Sequence, residues 1–144
     1  MISVRTGLRF IDSNIWLYAF IQGQDIEKSI LAQAAIRSDH IVISSQVINE
    51  ICFNLIRKAK FNEADIQNLI ESFYANYEVI EIRKAELQKA SDLRTQYQFS
   101  FWDSLIVSCA LASGADKLYS EDMNTGLIVE KQLEIINPLL LTKQ

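Results

Sequence analysis

The sequence predicts an α/β fold in which a mostly parallel central sheet is flanked by helices. Short apolar runs of the kind that form buried strands alternate with longer segments whose apolar residues recur at helical spacing. This alternation is typical of parallel sheets with helices on both faces. The 144 residues contain only 4 Gly and 1 Pro and no linker-like segment. We therefore expect a single domain that spans residues 1–144.

The first half of the chain contains two predicted strands and four predicted helices. The apolar segment LRFIDS lacks a helix start and ends in polar residues, which indicates a strand, and Ser13 or Asn14 is available to cap the next helix. The strands are predicted at 8–13 and 40–44, and the helices at 15–21, 25–38, 44–60 and 61–77. Two of these helices have a predicted apolar face, at positions 26, 30, 31, 34 and 35 and at Val47, Ile48, Ile51, Cys52 and Leu55.

The second half continues the alternation with three predicted strands and two predicted helices. The stretch FWDSLIVSCALASG is apolar almost all round, which predicts a buried helix that ends at Gly114 as its C-cap. The strands are predicted at 78–82, 116–122 and 133–138, and the other helix at 83–98.

Composition and cysteine content favour a globular cytoplasmic protein, with 49% hydrophobic and 22% charged residues. The longest apolar candidate for a membrane span is interrupted by Asp12, Ser13 and Asn14, and no signal-peptide cleavage site follows it. Cys52 and Cys109 lie within apolar helical patterns, so we expect two reduced core thiols.

The formal net charge of −4 argues against a protein that coats nucleic acid through a broad basic face. It does not exclude a nuclease, because carboxylates that hold cations subtract charge locally. Two groups of basic residues are most simply interpreted as solvated helix faces: Arg57, Lys58 and Lys60 on one helix, and Arg83, Lys84, Lys89 and Arg94 on another.

Four acids occur where sites form in an α/β fold, outside the carboxyl ends of strands and near helix starts. Asp12 and Asp122 each end a predicted strand, while Glu50 and Asp103 interrupt strongly apolar helices. Each acid also has a purely structural interpretation. Asp12 is suited to a helix cap, Glu50 to a pair with Arg57 or to solvent, Asp103 to the helix dipole and Asp122 to a turn.

Carboxylates grouped in this way stay partly protonated unless a cation neutralises them. Oxygen ligands suit Mg²⁺ or Mn²⁺ better than zinc, and such metals serve phosphate-ester hydrolysis. A Ser–His–Asp site would have to use the lone His40, to which we assign no role. The sequence contains neither a glycine-rich phosphate loop nor a CxxC zinc motif.

The segments FIDSNIWLYAF, SQVINE, FWDSLIVSCALASGADKLYSEDM and IINP together resemble a PIN-domain protein, most nearly a VapC-like ribonuclease toxin of a toxin–antitoxin pair. The resemblance runs from about residue 8 to Pro138. It implies a Rossmann-like sheet with an acidic pocket and Mg²⁺- or Mn²⁺-dependent cleavage of RNA.

By position, the resemblance assigns metal binding and catalysis to Asp12, Glu50, Asp103 and Asp122. Asp12 and Asp103 match metal ligands, and Asp122 and Glu50 complete the set directly or through water. Two further residues, Asn14 and Ser120, match the polar residues that support such a site. The role of the neighbouring acid Glu121 stays open.

The resemblance also implies two protein partners, a second copy of the chain and a small antitoxin. The antitoxin is expected to lay an apolar face on the toxin and often to insert a basic side chain into the acidic pocket. Aromatic residues on the predicted helices are compatible with such surfaces and equally with core packing: Phe53, Phe61, Phe73 and Tyr74.

Three other classes of protein compete with a nuclease. A haloacid-dehalogenase-like phosphatase needs a second aspartate two residues after Asp12, where this chain has Asn14. A receiver domain needs an aspartate after a middle strand, where EVIEI is followed by Arg83 and Lys84. A non-catalytic PIN-fold module that binds RNA or protein would be marked by loss of an acid, and the full set is present.

Overall fold

The computed structural model describes residues 3–21, 23, 25–37 and 40–140. Within these residues the strands are β1 (Arg5–Ile11), β2 (Ile41–Ser44), β3 (Glu78–Ile80), β4 (Ala115–Tyr119), β5 (Ile128–Val129) and β6 (Leu133–Ile136). The helices are α1 (Ser13–Phe20), α2 (Ile26–Ala35), α3 (Ser45–Ala59), α4 (Glu63–Asn76), α5 (Lys84–Gln96) and α6 (Phe101–Ser113).

The six described strands form one sheet in the order β3-β2-β1-β4-β6-β5. The pairs β3–β2, β2–β1, β1–β4 and β4–β6 are parallel, and β5 runs antiparallel to β6. The predicted α/β fold with a mostly parallel sheet is therefore confirmed. The short β5 was not predicted, because two residues are too few to set up an alternating pattern.

The strand order reverses between β1 and β4, and this reversal positions the candidate site. From β1 the chain moves outward through β2 to β3, and it then returns to place β4 on the other side of β1. At the carboxyl end of this pair, the backbone N–H of Asp12 donates to the carbonyl of Tyr119 at 2.9 Å. A crevice at such a reversal is the usual place for a ligand in an open α/β sheet.

The core lies on both faces of the sheet. Every residue of β2 is buried, as expected of a strand covered by helices on both sides. The predicted apolar face of α3 is buried throughout, and α6 is almost fully buried after its first turn. On α1, Trp16 packs edge-on against Phe73 and Tyr77, and its indole N–H donates to the carbonyl of Ile11 at 3.1 Å. This contact fixes α1 to the end of β1.

The predicted apolar face of α2 is partly wrong: Ala35 is buried and Leu31 packs half-buried against the core, but the other predicted positions are exposed. Ile26 and Ile30 are 73% and 61% exposed, whereas the small residues Ser29, Ala32 and Ala35 are buried. Small side chains bring one helix close to the next, and α2 packs against α1. The periodicity selected Ile26 and Ile30, which are exposed, and missed Ser29 and Ala32, which are buried. The last predicted residue of this helix, position 38, lies outside the described residues.

The ends of most elements differ from the prediction by one to three residues, among them the starts of α1 and β1. Asp12, rather than Ser13 or Asn14, caps α1. The strand β1 begins at Arg5 instead of residue 8. Its first three residues are not apolar, so no hydrophobic pattern indicates them, and the register with β4 shifts between Arg5 and Arg9. Gly114 does end α6 as predicted, with a φ of 82°, and an added Cβ would lie 2.7 Å from the carbonyl oxygen of Ser3.

Both predicted core thiols are free and buried. Burial raises the pKa of Cys109 to about 12, so this side chain stays a neutral thiol at physiological pH. No helix in the described part of the chain combines the length and apolar character needed to cross a bilayer.

Candidate active site at the carboxyl end of the sheet

Asp12 is the most buried acid of the predicted set, with 6% of the residue exposed. It follows β1 directly and caps α1, so Oδ1 accepts a hydrogen bond from the Ser13 N–H at 2.7 Å. Oδ2 accepts from the hydroxyl of Ser120, the residue after β4, at 2.9 Å. The side chain is therefore held on both oxygens, one by each of the two adjoining strand ends. The cap interpretation is correct, and it does not compete with a role in a site.

The pKa of the Asp12 carboxyl is raised from 3.8 to about 6, mainly by burial and to a smaller extent by the negative charges of Glu50 and Asp103. The hydrogen bonds from Ser13 and Ser120 oppose this shift because they favour the carboxylate. The two other acids are thus near enough to act on Asp12 electrostatically. Three of the four predicted acids form one coupled group.

Glu50 projects from α3 toward the start of α1. One of its oxygens accepts from the Ser13 hydroxyl at 3.0 Å, and the other accepts from the Gln46 side-chain amide at 3.0 Å. Within the described residues, Glu50 and Arg57 do not form an ion pair. The Arg57 guanidinium instead lies over the ring of Phe53, 5.2 Å from its centroid. Glu50 is therefore oriented toward the site by two polar neighbours.

Asp103 lies in the first turn of α6 and is half-buried. Its backbone N–H donates to the hydroxyl of Ser100 at 3.1 Å, so Ser100 caps the helix. The carboxylate of Asp103 is thereby left free of a capping role, although its first-turn position still suits the helix dipole. Its charge acts on Asp12 instead.

Asp122 is exposed, and its Oδ2 accepts from the side-chain amide of Asn14 at 3.1 Å. Asn14 Oδ1 is buried and has no hydrogen-bond partner among the described residues. Asn14 thus links α1 to the loop after β4 and presents an unpaired acceptor. The structure brings both predicted supporting residues, Asn14 and Ser120, into contact with predicted site acids.

Among the described residues, Glu121 has a basic partner, unlike the four acids of the predicted site. Its Oε2 accepts from the Lys28 ammonium of α2 at 2.6 Å, and its charge is not among those that shift the Asp12 pKa. The neighbouring acids Glu121 and Asp122 therefore have different partners. The Lys28–Glu121 ion pair joins α2 to the loop after β4.

The donor set fits a hard divalent cation in its chemistry. The side chains offer carboxylate and amide oxygens, which suit Mg²⁺ or Mn²⁺, and the charge on Asp12, Glu50 and Asp103 is not neutralised by a basic partner that the structure describes. In the described chain, however, no three of the His, Cys, Asp and Glu side chains are close enough together to enclose an ion. A cation at this site would be held by fewer than three of these side chains, with water completing its shell, as is common for Mg²⁺.

Sequence reasoning missed two partners of Glu50, Ser13 and Gln46. Ser13 was considered only as a helix cap, whereas its hydroxyl reaches α3. Gln46 lies four residues before Glu50, a spacing that puts both on one helix face and was the available signal. Gln46 and Glu50 also line a cavity of about 380 Å³ together with Asn49 and Trp102.

The aromatic residues considered for partner surfaces divide into two groups. Phe53 and Tyr74 are 57% and 49% exposed, whereas Phe73 is buried and Phe61 half-buried.

The two predicted groups of basic residues contain both exposed residues and residues with a polar partner. Arg57, Lys58, Lys60 and Lys84 are exposed. Arg83 is exposed but pairs with Glu86, Lys89 pairs with Glu130, and Arg94 donates to Ser104.

The family model described as the PIN domain matches residues 9–125. A toxin–antitoxin complex from Klebsiella pneumoniae has a TM-score of 0.68 and 16% identity, covering 90% of this chain and 97% of that chain. VapC20 of Mycobacterium tuberculosis, a sarcin–ricin loop cleaving toxin, has a TM-score of 0.61 and 16% identity, covering 76% and 86%.

A third similar structure is VapBC2 from Rickettsia felis bound to a DNA fragment from its promoter. Its TM-score is 0.59 and its identity 21%, covering 90% of this chain and 99% of that chain. At these identities the structural likeness shows the fold alone. No curated protein matches the chain significantly in sequence.

Proposed function

Because the chain belongs to the PIN-domain family, we propose that it is a metal-dependent endoribonuclease and the toxin of a type II toxin–antitoxin pair. The observation that carries the proposal is the buried Asp12, fixed between two strand ends and coupled to Glu50 and Asp103. Buried acids that repel one another are costly to fold unless a cation offsets their charge. The similar folds of toxins in complexes support the same proposal.

Asp12 and Asp103 are proposed as the firmest ligands of Mg²⁺ or Mn²⁺, with Glu50 and Asp122 completing the set. When bound, such a metal supplies an activated water and offsets charge on the phosphate. The chain's own part is orientation. Ser13 and Ser120 hold Asp12, Ser13 and Gln46 hold Glu50, and Asn14 holds Asp122.

The proposed partners are an RNA substrate, a small antitoxin and a second copy of the chain, all in the cytoplasm where RNA is available. An exposed apolar surface on α1 and α2 supports antitoxin binding: Phe20, Ile26 and Ile30. Ile26 and Ile30 also line one cavity, and apolar side chains grouped in water are characteristic of a protein interaction surface. Sedimentation of the chain alone would test the homodimer.

The test of the enzyme is cleavage of total cellular RNA by the purified chain, freed of any antitoxin, with Mn²⁺ and with EDTA. We expect discrete fragments with Mn²⁺ that disappear in EDTA, and their sizes would identify the class of RNA. A folded protein that binds metal in a thermal melt but cuts no RNA would contradict the proposal. That outcome would favour the non-catalytic PIN-fold module.

A further inference from the structure

Two large aromatic side chains are left in water at the first turn of α6, directly before Asp103. Phe101 and Trp102 are 64% and 65% exposed. Their rings meet edge to face with centroids 6.0 Å apart, so each limits the movement of the other. Adjacent exposed aromatic side chains mark a binding surface.

Trp102 shares a cavity with the candidate active site. The cavity of about 380 Å³ is lined by Trp102, the amide side chains of Gln46 and Asn49, and Glu50. A group that rests on the indole therefore lies beside one of the acids of the site. An aromatic face combined with amide donors and acceptors is the set of groups that holds an unpaired nucleobase, by stacking and by hydrogen bonds to the base edge.

A positive charge is fixed beside the same rings. The guanidinium of Arg94 lies 4.2 Å from the centroid of Phe101 and donates to the hydroxyl of Ser104 at 2.7 Å. In a chain with a net charge of −4, a localised cation near an acidic site favours a polyanion with exposed bases over an apolar peptide. The surface therefore matches single-stranded RNA in both its charge and its aromatic character.

Building on the ribonuclease function proposed above, we propose that Trp102, supported by Phe101, is a stacking platform for one nucleobase of single-stranded RNA next to the cleaved phosphate. Gln46 and Asn49 supply hydrogen bonds to the edge of that base, and Arg94 supplies charge for the RNA backbone. Stacking accepts any base, so the two amides set any base preference at this position.

The two tryptophans of the chain give a direct measurement. Trp16 is 1% exposed, so fluorescence changes on RNA binding report on Trp102. The full chain carrying Asp12→Asn, which prevents cleavage, is titrated with a mixed-sequence single-stranded RNA dodecamer. We expect quenched emission that is lost in Trp102→Phe.

Affinity for the labelled dodecamer is then measured by anisotropy in the same background. Trp102→Ala is expected to weaken binding about 10-fold or more, while Trp102→Phe retains most of the affinity. Tyr74→Ala removes a comparably exposed aromatic side chain from α4 and is expected to leave binding unchanged. Circular dichroism checks that each variant is folded.

The outcomes separate this inference from the proposed function. RNA cleavage by the wild-type chain together with unchanged binding in Trp102→Ala would overturn the platform and leave the nuclease intact. Quenching at Trp102 without cleavage would support the platform and contradict the nuclease. A loss of self-association in Trp102→Ala, with RNA binding unchanged, would overturn the platform and assign the surface to a second copy of the chain.

Discussion

The Ser120 hydroxyl donates a hydrogen bond to Asp12 Oδ2 at 2.9 Å across the point where β1 and β4 lie side by side. The residues are 108 positions apart in sequence, and both are buried. Asp12 is thereby fixed by a serine from the opposite side of the strand-order reversal. The candidate site depends on the sheet topology as much as on the acids themselves.

Ser120→Ala should weaken the site without unfolding the protein. The hydrogen bond from Ser120 lowers the Asp12 pKa, so its loss should leave the carboxyl more protonated at neutral pH. Loss of a residue that orients a metal ligand typically costs about 10- to 100-fold in metal affinity or activity. Calorimetric titration with Mn²⁺ would measure the loss of metal affinity, and an RNA cleavage assay would measure the loss of activity. Ser91→Ala, on the exposed face of α5, is the matched control and should behave like wild type.

Asp12→Asn should stabilise the metal-free protein at pH 7.5, and it should do so much less at pH 4.5, which lies only slightly above the ordinary pKa of 3.8. The folded-state pKa of about 6 lies above the ordinary 3.8, so the stability linked to the protonated carboxyl is lost as pH rises through that interval. This pKa shift corresponds to a difference in the free energy of unfolding of about 3 kcal/mol at most. Thermal unfolding at both pH values, with and without Mn²⁺, would measure this.

Added Mn²⁺ should raise the melting temperature of the wild type at pH 7.5 and raise that of Asp12→Asn much less. A variant that melts below wild type at pH 7.5 in EDTA would show that the Asp12 charge is already offset within the protein. That result would contradict the argument that a bound cation is needed to offset the buried charge of Asp12.

Glu121→Gln should leave RNA cleavage within a few-fold of wild type, whereas Asp122→Asn should reduce it strongly. Glu121 pairs with Lys28, while Asp122 is held by Asn14 of the site. Exposed ion pairs contribute little to stability, so the melting temperature of Glu121→Gln should change only slightly. Equal losses of cleavage in the two variants would show that both acids act in the site.

The packing of α2 predicts opposite outcomes for two neighbouring positions. Ala32→Leu should destabilise the protein by about 1–3 kcal/mol, because the buried alanine has no room for added methylenes. Ile30→Ser should change stability by about 0.5 kcal/mol or less, since Ile30 is 61% exposed. Urea unfolding of both variants would test which face of α2 packs inward. A larger loss in Ile30→Ser would reverse the assignment.

The sequence was sufficient to predict the fold where apolar periodicity was strong, as in α3, β2 and α6. It failed at α2, because alanine and serine carry little hydrophobic signal yet form the close contact with α1. It also missed the start of β1, where polar and glycine residues give no apolar pattern. There Arg5 pairs with Ala115 of β4, and the Gly7 N–H donates to the Asp116 carboxylate.

The acids of the candidate site were predicted from their positions after strands and at helix starts, but their partners were not. Ser120 was expected in a supporting role, yet its contact with Asp12 depends on the β1–β4 pairing. The Lys28–Glu121 pair joins residues 93 positions apart and follows from how α2 packs, which local sequence does not encode. Contacts of this kind become visible only in three dimensions.

The Asp103 carboxylate, in the first turn of α6, is proposed to serve RNA cleavage rather than the fold. The most direct test of this role is the single-turnover rate with Mn²⁺ for wild type, Asp103→Asn and the control Asp92→Asn, which changes an exposed acid of α5. We predict a loss of about 100-fold or more in Asp103→Asn, with the fold intact and the control unchanged. Cleavage by Asp103→Asn within a few-fold of wild type would contradict the proposed role of Asp103 in RNA cleavage.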